Sequence, residues 1–183
     1  LVRVHRLAPL DAAAHAELQA LPGVQRLWTA PPVFFSQHGR PLFDSAAGMV
    51  DWAEARGLSL GRAALAYEAA LLGLPEGEVV AEMVRRFEVM RAAVQRGLAE
   101  DQLPRQLLTP SAGRVYRAEA DGRLAAGGML TRAAARAMAV MHVNGAMGVV
   151  CAAPTAGSAG VIPGVVVTLA EEGGLDLEQV ALA

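Results

Sequence analysis

The chain has 183 residues, 54% of them hydrophobic and 19% charged, with 16 basic side chains against 18 acidic ones. That balance fits one main core-forming soluble domain and gives no electrostatic reason to expect nucleic acid or an anionic membrane surface as partner. Every basic residue is arginine, so Schiff-base, pyridoxal-phosphate and Walker-lysine chemistry find no amine here, and the single cysteine, Cys151, excludes an internal disulfide or a cysteine-only metal site within the chain.

In chain order, residues 2–7 alternate apolar and basic side chains with the two-residue period of a strand. Asp11 is placed to cap a helix running to Ala20, Pro22-Gly23 makes a turn, and residues 24–29 suit a second strand. This short α/β segment gives way to Ala30-Pro31-Pro32 and a linker, which puts a boundary near residue 41. Residues 42–183 then read as mainly α. Ser45 is expected to cap a helix to Arg56 that Gly57 closes, and Ser59 another to Leu72 before Gly73. The clearest amphipathic stretch is 76–96, with Val79, Val80, Met83, Val84, Phe87, Met90 and Val94 on one face and Gly97 as its expected end. Thr131 is the expected cap of an alanine- and methionine-rich helix to about Val143, inside a bundle.

Residues 137–170 contain no Asp, Glu, Lys or Arg, but Asn144, Pro154, Thr155, Ser158, Pro163 and five glycines interrupt them. They read as buried core, not as a membrane span. The N-terminus lacks the apolar run of a signal peptide, so the expected compartment is the cytoplasm. Within this stretch, 154–160 is a loop of small residues leading into a helix over 161–170, with Pro163 tolerable in its first turn. Exposed amides and the positive end of a helix dipole suit a carboxylate or phosphate, and the Thr155 and Ser158 hydroxyls add hydrogen bonds. A tight structural turn explains the same residues equally well.

Residues 153–163, Ala-Pro-Thr-Ala-Gly-Ser-Ala-Gly-Val-Ile-Pro, resemble the signature loop of the iron–sulfur-dependent L-serine dehydratases. Residues 143–148 resemble that family's Asn-Ala-Ser-Met-Gly segment, and 45–47, 57–60 and 89–98 resemble further family positions in the family's order. The resemblance implies a helical catalytic domain that removes water from L-serine, giving aminoacrylate and then pyruvate and ammonia, with a [4Fe–4S] cluster as Lewis acid and no pyridoxal phosphate. Carried over, Thr155, Ala156 and Gly157 hold the serine carboxylate, Ser158 and Gly160 complete the pocket, and Asn144 lies near it or caps the preceding helix; no catalytic base is assigned.

The family's cluster cysteines lie downstream of the loop, whereas Cys151 precedes it and reads as a small buried hydrophobe. The chain is therefore expected to be an incomplete catalytic domain, lacking cluster and activity alone and partnered by the rest of the domain, by a β-type domain or subunit, and by further copies or subunits in an oligomer. Residues 1–41 resemble either the end of a regulatory module or the tail of the β-type domain. The competing class is a non-catalytic helical module that binds a small carboxylate.

The remaining polar residues point to no zinc site, because the four histidines are scattered. His142 is the one weighed for function, a hydrogen-bonded core histidine being its ordinary explanation. Glu171 and Glu172 are expected on a solvent face, and Arg114, Arg117 and Arg123 on a solvated helix surface or facing an anionic partner.

Overall fold

The computed structural model describes residues 11–25, 27, 39–99, 109–151 and 158–182. The strand expected over 2–7 lies outside them, and so do three residues of the one expected over 24–29; Val24, Gln25 and Leu27 are not in a strand. Among the described residues the secondary structure is entirely helical.

Helix α1 (Ala12–Ala20) begins as expected, with the Asp11 carboxylate accepting from the Ala14 N–H at 2.7 Å, and it buries no residue. The Ser45 hydroxyl caps α2 (Ala46–Glu54), accepting from the Gly48 N–H at 3.0 Å, and Ser59 caps α3 (Leu60–Leu72), accepting from the Arg62 N–H at 3.3 Å. Gly73 closes α3 in the left-handed conformation at φ 66°. Gly39 is tied to this end of the chain, its N–H donating to the Leu71 carbonyl at 3.0 Å.

Helix α4 (Glu76–Ala99) carries most of the expected stripe: Val79, Phe87, Met90 and Val94 are buried on it and Val80 and Val84 half-buried, but Met83 is exposed. On its outer side Glu82 accepts from both Arg85 and Arg86. Gly97 does not end this helix. It lies buried inside the last turns, where a Cβ would stand 2.1 Å from the Ala139 carbonyl oxygen, so it is a crossing point and not a stop. Helices α5 (Ala112–Ala120) and α6 (Met129–Gly145) follow. Gly128 occupies the cap position of α6, so Thr131 falls in the first turn, where its hydroxyl lies 3.4 Å from the Ala126 carbonyl. Helix α7 (Ser158–Gly173) starts three residues earlier than 161, which places buried Pro163 in the second turn, and α8 (Leu177–Leu182) closes the described chain. Asp176 and Gln179 form a reciprocal capping box at the start of α8, with backbone N–H to side-chain oxygen distances of 2.8 and 2.9 Å.

The main core joins Phe87, Met90 and Val94 of α4 to Val140 and Val143 of α6, Val167 of α7 and Val180 of α8. A smaller cluster joins Leu65 and Ala69 of α3 to Val79 of α4. Helix α7 is not buried all round: Val161, Val165 and Leu169 form an exposed row, Val161 being 58% exposed. No helix of the described residues is long and apolar enough to cross a membrane.

The carboxylates on the α6–α7 face are not merely solubilising. Buried Arg136 of α6 donates to the Thr168 hydroxyl at 2.8 Å, to the Tyr116 hydroxyl at 3.1 Å and to Glu172 at 3.2 Å, and also reaches Glu171. Arg132 bridges Glu119 of α5 and Glu172 of α7. Glu171 and Glu172 thus belong to a network that ties three helices together. Arg132 and Arg136 hold the Glu172 carboxyl down from an ordinary 4.5 to about 2, and Arg85 with Arg86 does the same to Glu82. A depressed folded-state pKa means the unfolded chain takes up protons first on acidification. The stability these pairs contribute is therefore fully present above pH 4.5 and is expected to fall progressively toward pH 2, with a weaker pH slope in Glu172→Gln; urea midpoints across that range measure it.

Candidate functional site

Small residues let α6 and α7 approach closely. A Cβ on Gly160 would meet the Ala137 carbonyl oxygen and Met141 Cγ at 2.8 Å, and one on Gly164 would meet the Ala133 carbonyl oxygen at 2.7 Å. As the number rises along α7 it falls along α6, so the two helices run antiparallel, and the end of α6 lies beside the start of α7.

The end of α6 is built by its backbone. Met147 adopts φ 60°, its N–H donates to the Asn144 carbonyl at 3.0 Å, and the Gly148 N–H donates to the Val143 carbonyl at 2.9 Å. That is the hydrogen-bond pattern of a left-handed helix stop, with Met147 in the position usually held by glycine. Asn144 is therefore not the left-handed capping residue; it sits in the last turn with its side chain exposed. At the facing end, Ser158 opens α7 and is buried, 6% exposed, and Gly160 follows in the first turn. No acidic side chain of α7 stands in that turn, at the positive end of the helix dipole. Thr155, Ala156 and Gly157 lie outside the described residues.

Beside this helix start is a groove of about 410 Å³ lined by Thr109, Ser111, Met138, Met141, His142 and Gly160 among others. Thr109, Ser111 and the two methionines carried no distinguishing sequence signal, since only the packing of α5, α6 and α7 brings them together. His142 is 8% exposed, and its Nδ1 is sealed from solvent without a hydrogen-bond partner. It is thus buried, as expected of a core histidine, but its Nδ1 makes no hydrogen bond. Burial alone lowers its pKa from 6.5, so the ring is neutral at pH 7.

A second, shallow depression on α5 and the turn after it gathers Arg114, Arg117 and Arg123. Arg123 is engaged there by Asp121 at 3.0 Å. Among the described residues no three His, Cys, Asp or Glu side chains are grouped to hold a metal. Cys151 packs against the main core. The residues present do not fit the ligand set of a cysteine-held iron–sulfur cluster.

The family described as "Serine dehydratase alpha chain" matches this chain over residues 53–183. A Bacillus subtilis (strain 168) protein named "Probable L-serine dehydratase, alpha chain" is 28% identical over 131 residues, which is 72% of this chain and 44% of that protein. The "L-serine dehydratase, alpha chain" of Peptoniphilus asaccharolyticus is 27% identical over 136 residues, 74% of this chain and 47% of its own. The chain spans less than half the length of these curated relatives, and no solved structure matches it. With the family matched over most of its length, the chain belongs to the serine dehydratase alpha chain family.

Proposed function

We propose that this chain supplies the carboxylate-binding part of an L-serine dehydratase, a lyase that converts L-serine to pyruvate and ammonia. The observation that carries the reading is helix α7, which begins at Ser158 beside the end of α6 with no acidic side chain in its first turn. Thr155, Ala156 and Gly157 hold the substrate carboxylate, Ser158 and Gly160 complete the pocket, and Asn144 flanks it. Gly160 lacks a side chain because Ala137 and Met141 occupy the space, so its share is its N–H alone.

The [4Fe–4S] cluster belongs to the complete enzyme, with ligands from outside this chain, since a lone cysteine packed on the core does not provide them. The complete assembly contains the rest of the catalytic domain and a β-type domain or subunit, as a homo-oligomer or heteromer in the cytoplasm. Within this chain, residues 1–41 and 42–183 are separate units, a division that the absence of buried residues in α1 supports and that the Gly39 hydrogen bond to Leu71 crosses at the linker.

Anaerobic purification of the full-length gene product tests this. A coloured, iron-bearing protein that forms pyruvate from L-serine is expected; a colourless, iron-free protein that leaves serine untouched overturns the reading in favour of a non-catalytic carboxylate-binding module. In the active enzyme, Thr155→Val removes a charge-assisted hydrogen bond worth roughly 1.5–3 kcal/mol, so the serine KM is expected to rise by about ten-fold or more. Unchanged kinetics would remove Thr155 from the site.

A further inference from the structure

We propose that His142 contacts the substrate, its ring donating a hydrogen bond to the hydroxyl oxygen of an L-serine held in the groove between the end of α6, the start of α7 and residues 109–111. The inference rests on the function proposed above and adds a specificity residue to it.

Three observations converge on the groove. His142 lines it, while the same residue is more than nine-tenths buried, so its imidazole is held in the packed wall and is not a surface side chain. Its Nδ1 is sealed away with no partner. Gly160 of the α7 start, and the Thr109 and Ser111 hydroxyl residues, line the same space, whereas Met138, Met141 and Val161 give it an apolar remainder.

The tautomer follows from these facts. A neutral imidazole has one N–H and one bare nitrogen. A sealed N–H without an acceptor is the rarer and costlier orphan, so Nδ1 is the bare nitrogen and the proton sits on Nε2. Nε2 is then the ring atom available to a ligand, and it is a donor. Of the acceptors on a serine zwitterion, the carboxylate is drawn to the N–H groups of the helix start. The hydroxyl oxygen remains for His142. A site that hydrogen-bonds a hydroxyl discriminates against the same molecule without it.

His142→Phe in the full-length, anaerobically purified enzyme separates this role from packing. Phenylalanine fills the ring space and removes the orphaned nitrogen, so the urea midpoint is expected to hold or rise. The serine KM is expected to rise about ten-fold or more, while the calorimetric Kd for L-alanine, which lacks the hydroxyl, stays within about two-fold. His142→Gln keeps a donor and should recover most of the serine KM. Should His142→Phe not fold, His142→Gln and His142→Ala decide the matter: alanine must raise the serine KM and glutamine must not. A wild-type KM in every folded variant lacking a donor, or equal losses for serine and alanine, overturns the proposal. If Thr155→Val raises the KM and His142→Phe does not, only the His142 assignment falls; if neither does, the carboxylate site falls with it.

Discussion

Gly97→Ala is expected to destabilise the protein by about 2 kcal/mol or more, against the sign that helix propensity alone predicts. In an exposed helix interior, glycine to alanine stabilises by up to about 1 kcal/mol. Here the added Cβ would stand 2.1 Å from the Ala139 carbonyl oxygen, 2.5 Å from its carbonyl carbon and 2.8 Å from its Cα, all backbone atoms of α6. None can swing aside like a side chain, so α4 and α6 must separate. Their separation opens the main core at Val94 and Val140, where close packing makes even small displacements costly. Urea denaturation of wild type and variant gives the answer; an equal or higher midpoint for Gly97→Ala would show that the crossing is looser than this.

Arg136→Ala is expected to cost about 3–5 kcal/mol, the range for breaking a buried ion pair from one side. The Arg136 side chain is 4% exposed, and its guanidinium is shared among Glu171, Glu172, Thr168 and the Tyr116 hydroxyl, with the Tyr116 ring 5.2 Å away. Truncation leaves Thr168, Tyr116 and Glu172 facing a cavity, whereas the Glu171 side chain is 43% exposed and turns to water; among the described residues Glu172 retains a second cation, Arg132. Arg136→Met, which fills most of the volume, is expected to recover part of the loss, because it separates packing from charge. Arg132→Ala is expected to cost less than Arg136→Ala, since Arg132 is 31% exposed and water replaces part of what it provides. A loss below about 1 kcal/mol for Arg136→Ala would mean that the network is effectively solvated.

These two positions mark where the sequence was readable and where it was not. The caps at Asp11, Ser45 and Ser59 and the stripe of α4 were legible because they depend on residues three or four apart. Gly97 and Thr131 were misplaced for the converse reason: both are common boundary residues, and what overrode that local habit was the α4–α6 crossing for one and Gly128 for the other. Glu171 and Glu172 are exposed as expected, but their pairing was not legible, because nothing nearby in sequence is basic and their partners stand some 35–40 positions away on α6.

For the candidate site, the sequence by itself determined the family resemblance, the helical class and the run of small residues around the start of α7. It did so because each is written in contiguous residues. The antiparallel seating of α7 on α6, the groove beside the helix start and the sealed Nδ1 of His142 were decided only by the tertiary structure. Those features arise where residues from 109 to 161 meet, and how closely two helices approach is set by which small side chains face each other across the seam, not by the order of residues along either one.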